Sequence, residues 1–334
     1  MDEREGAIAG FLAAAGWEEA TRTPLAGDAS ARRYERLTSR GRRAVLMDAP
    51  PERGEDTGRF ARVDLWLRAR GYSAPEILSE DHRQGFLLLE DLGDAVVARV
   101  LEREPAKERE IYEATTDFLA DLHRRPVPPF ASPLDGRALG DLTRLALEWY
   151  VPGVGAAPEA DAETLPRLIG TLHDRLADGG PVLSLRDFHS ENLIWLPERS
   201  GHARIGLLDF QDAVAGHPAY DLVSLLQDAR RDLAEATEAA MLARYAAARG
   251  VDPARFAAIY ALLGAQRALR IIGVFARLAR RDGRTQYLRF LPRVWSALGR
   301  NLAHPALGEL AAAVAAQLPS PTPERMARLA GGPR

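Results

Sequence analysis

The chain has 334 residues and a formal net charge of −3, which allows one large domain or two lobes with a real core and gives no global attraction to nucleic acid. Cysteine is absent, so disulfides, thiol nucleophiles and cysteine-held metals are excluded. The N-terminus is acidic before a short apolar run, unlike a secretory signal, and no uncharged run is long enough to span a bilayer. We therefore expect a cytoplasmic protein that binds neither nucleic acid nor membrane.

The N-terminal part of the chain predicts a small lobe that is rich in strands. Its periodicity predicts helices over 4–16 and 56–70, and strands over 33–37, 43–47, 76–79 and 85–90. The character of the sequence changes near 90–93, where we expect a hinge.

The rest of the chain is mainly helical in period. Helices are predicted over 105–123, 138–150, 165–178, 219–250, 254–281, 286–302 and from 304 onwards, with a loop over 152–160 and two short apolar runs within 182–214. We therefore predict an α+β protein with two lobes, a β-rich lobe over 1–92 and a helical lobe over 93–334. A ligand site is expected where two lobes meet.

Two segments place acids and an amide at a spacing suited to phosphoryl transfer. Asp187 and Asn192 have the D-x-x-x-x-N spacing of a kinase catalytic loop, and Asp209 follows an apolar, strand-like run further on. Phosphoryl transfer needs a carboxylate beside the attacking hydroxyl and oxygen ligands for Mg²⁺. The order therefore predicts a magnesium-dependent phosphotransferase. The alternative is that both aspartates cap turns and that Asn192 is an ordinary loop residue.

These segments and several others resemble the aminoglycoside phosphotransferase and choline kinase superfamily, whose members share the protein-kinase-like two-lobed fold. The resemblance is closest to bacterial anomeric sugar kinases that act on N-acetylmuramate and N-acetylglucosamine. It is carried by residues 27–34, 45–51, 85–94, 186–193, 208–213 and 220–226.

The resemblance implies roles for the three motif residues. Asp187 would be the catalytic base that orients and deprotonates the acceptor hydroxyl, and Asn192 and Asp209 would hold Mg²⁺.

It also implies a nucleotide site in the N-terminal lobe. Backbone groups near Glu90, Asp91 and Leu92 would bind the adenine of ATP, and the turn from Gly27 to Ser30 would cover the phosphates with its N–H groups.

The chain departs from the kinase pattern at the lysine that pairs with the phosphates. Met47 stands at that position on the third strand, and the only lysine of the chain, Lys107, lies in the first helix of the helical lobe. Because a guanidinium can grip phosphate with two hydrogen bonds, we predict that Arg32 or Arg33 supplies the missing charge. The alternative is that both arginines are solvated on a strand edge. Leu185 is a second departure, since kinases often have histidine two residues before the base.

The acceptor site is expected to disfavour polycations. Between residues 230 and 300 there are fourteen arginines, no lysine and five acids. Such a site suits a neutral sugar or one that bears a carboxylate. Glu148 and Trp149 are candidates for contact with a sugar ring, with a core role for Trp149 as the alternative.

Three further candidates lie close to the motif residues in sequence. Gln211 and Asp212 follow Asp209 and are candidates for facing the acceptor. Asp221 is a candidate for touching the acceptor or, more simply, for capping the helix that follows it.

The function implied by the resemblance is ATP-dependent phosphorylation of the anomeric hydroxyl of N-acetylmuramate or N-acetylglucosamine. The product would be the sugar 1-phosphate, and the setting would be cell-wall sugar recycling. Two alternatives stay open. One is another small-molecule kinase of the superfamily, for aminoglycosides, choline or homoserine. The other is a nucleotide-binding pseudokinase, which Met47 and Leu185 favour and which the intact Asp187, Asn192 and Asp209 disfavour.

Overall fold

The computed structural model of the protein describes residues 3–25, 31–157 and 161–331. The chain divides into two units, each made of two stretches. The first unit is Met1–Ala114 with Glu191–Ala213, and the second unit is Thr115–Ser190 with Val214–Arg334. The first unit carries an antiparallel sheet and the second is mainly helical, so the predicted α+β fold class is confirmed. The lobe boundary after residue 92 stays a prediction.

The sheet of the first unit has five antiparallel strands in the order β1-β2-β3-β5-β4. They are β1 (Thr21–Pro24), β2 (Arg33–Ser39), β3 (Arg42–Asp48), β4 (Ile77–Asp81) and β5 (Phe86–Glu90). The last four agree with the predicted strands. β1 was not predicted, because its short polar sequence lies at the edge of the sheet and is mostly exposed.

One face of this sheet is covered by the helix α1 (Glu3–Ala14). Ile8, Phe11 and Leu12 of α1 form a buried cluster with strand residues such as Leu46 and Phe86, and the rings of Phe11 and Phe86 are 5.5 Å apart. The α1 residues recur at the three- and four-residue spacing that gives a helix one apolar face.

The opposite face of the sheet contains Met47. Side chains alternate along a strand, so the α1 cluster takes Ala44 and Leu46 of β3, and Met47 points the other way. Its side chain is buried, at 1% exposure. Helix α2 (Thr57–Arg68) follows β3, and Asp56 caps it by accepting a hydrogen bond from the Arg59 N–H.

A two-stranded ribbon completes the first unit. The strands β7 (Leu193–Trp195) and β8 (Ile205–Leu207) pair antiparallel. The Leu207 N–H donates to the Ser73 carbonyl at 2.9 Å, and the Trp195 N–H donates to the Ala95 carbonyl at 2.7 Å. Strands of three residues have almost no stability of their own, so these contacts with the rest of the unit hold the ribbon in place. The sequence indicated only two apolar runs here.

Helices, turns and one further ribbon make up the rest of the part of the chain that the structure describes. The ribbon pairs β6 (Val182–Ser184) with β9 (Val214–Gly216). The remaining helices are α3 (Val97–Arg103), α4 (Glu108–Leu122), α5 (Gly136–Leu145), α6 (Val151–Gly153), α7 (Thr164–Leu176), α8 (Ala219–Leu226), α9 (Glu235–Arg249), α10 (Pro253–Asp282), α11 (Leu291–Leu302), α12 (Gly308–Gln317) and α13 (Pro323–Ala330).

Helix α10 runs for 30 residues and lies largely in the core of the second unit. Among the described residues it is the one helix long and apolar enough to cross a membrane, and 83% of its apolar window is buried inside the protein. A Cβ on Gly273 would lie 2.3 Å from the Leu145 backbone, so only glycine permits this close approach to the end of α5. The chain there continues as a π-helical turn, Ala146–Tyr150, a form that is often found at functional sites.

The predicted helix over 219–250 is in fact two helices. α8 ends at Leu226 and α9 begins at Glu235. The intervening Asp228 is buried, and its carboxylate accepts hydrogen bonds from the Ser190 hydroxyl at 2.7 Å and from the Arg230 N–H at 2.9 Å. The break therefore comes from tertiary contacts, which helical periodicity does not reveal.

A buried acid on α2 gives the first unit a pH-dependent stability. Asp64 is fully buried, and neither carboxylate oxygen has a hydrogen-bond partner. Burial raises its pKa to about 7; Arg68 opposes this increase, and Glu90 and Glu76 add to it. As pH rises from about 4 to about 7, the unfolded chain releases this proton before the folded chain does, so folding loses free energy over that range.

We therefore expect Asp64→Asn to stabilise the protein more at pH 8 than at pH 5, with a difference between the two gains of about 2 kcal/mol. Urea unfolding at both pH values measures it. The control is Asp56→Asn, which removes an exposed acid that caps the same helix. Equal gains for Asp64→Asn at the two pH values would contradict the assignment.

Candidate functional site

The loop that carries Asp187 is held by a buried carboxylate. Asp221, in the first turn of α8, is fully buried. Its oxygens accept hydrogen bonds from the Ser184 hydroxyl at 2.8 Å, the Leu185 N–H at 2.7 Å and the Arg186 N–H at 2.9 Å. The helix begins after Pro218 without a side-chain cap, so the predicted capping role is wrong. Full burial of the engaged carboxylate also favours this positioning role over the predicted contact with the acceptor.

The backbone is strained beside two of the three motif residues. In the described part of the chain, three residues other than glycine have positive φ: Arg40, Arg186 at 68° and Asp209 at 54°. Arg40 belongs to the β2–β3 turn, whereas Arg186 precedes Asp187 and Asp209 is itself a motif residue. Such conformations cost roughly 1–3 kcal/mol and cluster at functional sites. This strain is an independent reason to place chemistry here.

Positive charge surrounds Asp187. The Nη2 atom of Arg267 lies 3.8 Å from the Asp187 Oδ1, and Arg267 Nη1 donates to the Arg186 carbonyl at 3.2 Å. Burial alone would raise the pKa of Asp187, but the guanidinium groups of Arg267, Arg270 and Arg186 hold it below its ordinary value. The carboxylate therefore stays ionised at neutral pH and is able to accept a hydrogen bond from a hydroxyl.

The far side of the same loop is packed and hydrogen-bonded. Ser190 binds Asp228, and the His189 Nε2 lies 3.4 Å from an Arg230 guanidinium nitrogen. His189 is buried, and burial lowers its pKa. A neutral imidazole in this position agrees with a structural role. The Phe188 ring stacks on Phe118 of α4 at 5.5 Å.

The ribbon of the first unit brings Asn192 and Asp209 to the same end. Leu193 pairs with Leu207, and the Leu208 N–H donates to the Asn192 carbonyl at 2.9 Å. In an antiparallel pair the start of one strand lies beside the end of the other. The residue before β7 and the residue shortly after β8 are therefore neighbours, which suits two ligands of one cation.

Arg32 binds the carboxylate of Asp209. Its Nη2 donates to Asp209 Oδ1 at 2.9 Å, and its Nε lies 3.3 Å from Glu55 Oε2. The Gln211 amide also donates to Asp209 Oδ1, at 2.9 Å. Arg33, in contrast, is 59% exposed and pairs with Asp48 at 2.7 Å. Of the two predicted arginines, the structure brings only Arg32 to Asp209.

A cavity of about 350 Å³ opens beside Arg32. Four arginines and one acid contribute to its walls, and three of these arginines already pair with carboxylates, Arg4 and Arg33 with Asp48 and Arg32 with Asp209 and Glu55. It is lined by Arg4, Ala31, Arg32, Arg33, Pro50, Glu52 and Arg53.

The predicted hinge residues follow directly on β5. Asp91 is tied back to the sheet, because its carboxylate lies 2.9 Å from Arg36 Nε and 3.5 Å from Arg43 Nε. The Glu90 N–H donates to the Glu76 carbonyl at 2.7 Å, and its carboxylate accepts from Arg199 at 2.6 Å. Leu92 is half-buried. Their proposed contact with adenine stays a prediction.

The other predicted residues are dispersed. Gly27 and Ser30 lie outside the described residues. In the second unit, Glu148 is exposed and Trp149 is half-buried on the π-helical turn. In the first unit, Asp212 pairs with Arg59 at 3.2 Å. Roles for Glu148, Trp149, Gln211 and Asp212 in acceptor binding stay predictions.

The donor set around Asp209 fits Mg²⁺ that arrives with a nucleotide. The described residues contain no group of three or more histidine, aspartate or glutamate side chains that would hold a metal by itself. Mg²⁺ is commonly bound by one or two protein oxygens together with substrate phosphates and water. The Asp209 carboxylate is 30% exposed, so a metal ion could reach its oxygens, and Arg32 now occupies the position of a cation beside it.

Sequence reasoning missed the partners that support these residues. Asp228, Glu55 and Arg267 were not identified, because each acts through a contact with a distant part of the chain. The excess of arginine over acid in the segment that contains α10 was the only available signal, and it did not single out Arg267.

Comparisons with known proteins agree with this geometry. The model of the phosphotransferase enzyme family matches residues 21–259. A Caulobacter vibrioides protein named N-acetylmuramate/N-acetylglucosamine kinase is 41% identical over 93% of this chain and 95% of its own length. A Pseudomonas aeruginosa protein of the same name is 36% identical, with 90% of each chain covered.

Solved structures show the same fold at low sequence identity. A choline/ethanolamine kinase family protein from Mesorhizobium loti superposes with a TM-score of 0.62 at 14% identity, covering 98% of this chain and 99% of that one. An aminoglycoside phosphotransferase from Streptomyces rimosus, solved with ADP and streptomycin, gives 0.53 at 18% identity, covering 81% and 99%. The predicted protein-kinase-like fold is therefore confirmed.

The hydrogen bonds to Asp221 predict a local and a global effect of Asp221→Asn. The amide nitrogen would face an N–H or O–H donor, so we expect a loss of about 3 kcal/mol in the free energy of unfolding. Amide hydrogen exchange should accelerate at residues 184–187 beyond what global destabilisation explains.

The control for this variant is Glu238→Gln. Glu238 is another buried acid of the second unit, and it accepts hydrogen bonds from Gln227 and Tyr260. Glu238→Gln should destabilise the protein without a selective effect on amide hydrogen exchange at residues 184–187. If Asp221→Asn accelerated exchange no more at that loop than Glu238→Gln does, Asp221 would not hold the loop.

Proposed function

This chain belongs to the phosphotransferase enzyme family, and from that premise we propose that it transfers the γ-phosphoryl group of ATP to the anomeric hydroxyl of an N-acetylated amino sugar. The acceptors would be N-acetylmuramate and N-acetylglucosamine, and the product would be the sugar 1-phosphate, in recycling of cell-wall sugars. The observation that carries the proposal is the ionised Asp187 on its clamped loop. The names of the similar proteins from Caulobacter vibrioides and Pseudomonas aeruginosa support the choice of sugar.

Asp187 would act as the base. Its carboxylate accepts the proton of the sugar hydroxyl while the hydroxyl oxygen forms a bond to the γ-phosphorus and the bond from that phosphorus to the leaving oxygen of ADP breaks. An anomeric hydroxyl is more acidic than an ordinary alcohol, because the ring oxygen stabilises the oxyanion. The lowered pKa that the neighbouring guanidinium groups give Asp187 is therefore compatible with this task, since positioning supplies much of the rate.

Asn192 and Asp209 would hold Mg²⁺. The ion would neutralise charge on the phosphates, the chemistry that this family of reactions requires. Asp209 is suited by its partial exposure and by the fixed orientation that Gln211 gives it. Arg32 would then supply the positive charge that Met47 cannot, by exchanging its contact with Asp209 for one with a phosphate oxygen.

The charge near Asp187 favours a sugar over an aminoglycoside or choline. Burial raises the pKa of Asp187, and the positive charges of Arg186, Arg267 and Arg270 lower it. The same positive charges would repel a cationic acceptor. This local observation agrees with the expectation from the sequence that the acceptor site disfavours polycations.

Purified protein with ATP and Mg²⁺ tests the proposal when N-acetylmuramate, N-acetylglucosamine, choline and kanamycin are offered in parallel. We expect ADP release and a sugar 1-phosphate resonance in phosphorus NMR with the two sugars. Asp187→Asn should lower kcat by at least about a thousand-fold, the upper part of the range for loss of a general base, with ATP affinity retained. Turnover with choline or kanamycin alone would assign another acceptor, and ATP binding without any turnover would indicate a pseudokinase.

The exchange proposed for Arg32 has its own test. Because a charge-assisted hydrogen bond contributes about 1.5–3 kcal/mol, Arg32→Met should weaken the binding of Mg²⁺–ATP by about ten-fold or more. Titration calorimetry measures this without turnover. The matched variant is Arg33→Met, which should have a smaller effect because Arg33 points to Asp48. Equal affinity losses for the two variants would refute the assignment.

A further inference from the structure

A short loop of the second unit supports the far side of the loop that carries Asp187. It is the segment 227–234 between α8 and α9, which we call the α8–α9 loop. Its Asp228 is buried and accepts a hydrogen bond from the Ser190 hydroxyl at 2.7 Å. Ser190 lies shortly after Asp187 in the chain, so the position of the α8–α9 loop bears directly on the proposed catalytic loop.

The α8–α9 loop cannot fix the position of Asp228 by its own internal contacts. Its backbone forms turns, a bend and irregular stretches, not a helix or a strand. Within it, the Arg230 N–H donates to the Asp228 carboxylate at 2.9 Å. A hydrogen bond within a loop moves with that loop, so contacts with a helix outside the loop are needed to hold Asp228 in place.

Helix α11 provides the first such contact through Arg293. The Arg293 guanidinium donates from Nη1 to the Ala229 carbonyl at 2.8 Å and from Nη2 to the Asp232 carboxylate at 2.5 Å. One side chain therefore holds the backbone directly after Asp228 and also a second point further along the loop. A guanidinium suits this task, because its donors lie in one plane and point in fixed directions.

The same helix provides a second contact, through Asn301, at the residue before Asp228. The Asn301 Nδ2 donates to Gln227 Oε1 at 2.8 Å, and the Gln227 Nε2 donates to Asn301 Oδ1 at 3.1 Å. Asn301 is buried, and a Cβ on Gly264 of α10 would lie 2.4 Å from its amide nitrogen. The glycine therefore leaves room for the amide that joins α11 to the loop.

Resting on the proposed function, we infer that Arg293 is a positioning residue for phosphoryl transfer, which acts on Asp187 through Asp228, and that Asn301 assists it. Helix α11 lies beyond the segment that the family model matches, so that match assigns it no role. The proposed catalytic loop then has two separate supports. Asp221 holds the backbone before Asp187, and α11 holds the backbone after it by way of the α8–α9 loop.

The test by activity compares kcat and the KM for ATP in the parent, Arg293→Met and Arg293→Lys. Methionine keeps much of the length of the side chain but has no donor. Because a displacement of about 1 Å can cost up to a hundred-fold in rate, Arg293→Met should lower kcat by about ten-fold. The KM for ATP should stay unchanged. Arg293→Lys should recover part of the loss in kcat, since it keeps the charge and a donor without the planar geometry.

Amide hydrogen exchange tests the same inference without turnover. Loss of a charge-assisted hydrogen bond should accelerate exchange at residues 188–190 in Arg293→Met by about ten-fold or more. Residues 184–186, which Asp221 holds, should keep their exchange rates. If the parent turned over neither sugar, the proposed function would be wrong, and the exchange rates would still decide whether Arg293 holds the loop.

The matched control is Arg144→Met. Arg144 donates two hydrogen bonds to the Glu163 carboxylate elsewhere in the second unit, and its side chain is 32% exposed, as is that of Arg293. Arg144→Met should change neither kcat nor exchange at residues 188–190. The inference would be overturned if Arg293→Met accelerated exchange there no more than this control does. Equal kcat in Arg293→Met and Arg293→Lys would attribute the effect to packing and would also overturn it.

A double-mutant cycle with Asp228→Asn shows whether Arg293 acts through Asp228. Asp228→Asn alone should accelerate exchange at residues 188–190, because it weakens the hydrogen bond from Ser190. In that background, Arg293→Met should accelerate exchange much less than it does in the parent. Additive effects of the two substitutions would show that Arg293 and Asp228 act independently, and would refute the inferred route to Asp187.

Discussion

The arrangement of the proposed catalytic loop depends on one buried carboxylate. Asp221 accepts a hydroxyl and two consecutive backbone N–H groups from the chain that leads to Asp187. These bonds fix Arg186 in a left-handed conformation that an L-residue seldom adopts, and this turn of the backbone sets the direction of the next side chain. A buried charge stays favourable only when hydrogen bonds replace its lost hydration. The donors of the loop therefore stabilise the buried charge of Asp221, and Asp221 in turn fixes the conformation of the loop. Asp228 similarly accepts a hydrogen bond from Ser190, three residues after Asp187.

Arginine carries nearly all of the positive charge in this protein, and the structure uses its geometry. Arg32 reaches two carboxylates at once, and Arg267 reaches a carbonyl and a carboxylate. A lysine ammonium is a compact point charge with no fixed plane, so it could not reproduce these pairs without movement of the backbone. A chain with a single lysine can therefore still provide the positive charge that phosphoryl transfer needs. This requires that its arginines lie at backbone positions that suit their longer side chains.

The sequence predicted those parts of the molecule that local pattern controls. Helices α1, α2, α7 and α10 and the strands β2 to β5 follow from periodicity, and the spacing of Asp187, Asn192 and Asp209 identified the motif. The strand β1 and the three-residue strands β6 to β9 were not predicted, because they form only by pairing with distant segments. Asp221 was misread for the same reason: its partners lie 35–37 residues away, and a local rule offered helix capping instead. The choice between Arg32 and Arg33 also needed the structure, since these adjacent residues at the start of β2 reach different carboxylates, Asp209 and Asp48.

The replacement of lysine by Met47 is understandable from the pairing of β2 with β3. Tyr34 lies opposite Met47, and adjacent strands are about 5 Å apart. Arg32, the residue just before β2, therefore lies within a side chain's length of the position that lysine occupies in other kinases. Met47 itself is buried against β5, opposite Leu87, where an unpaired ammonium would be costly to desolvate. An apolar residue at Met47 therefore stabilises the sheet, and in the proposed mechanism the cation would come from a neighbouring position, Arg32, which already has a partner in Asp209. This arrangement would couple the cation to the proposed metal ligand, because each neutralises the other until phosphate and Mg²⁺ would take their places.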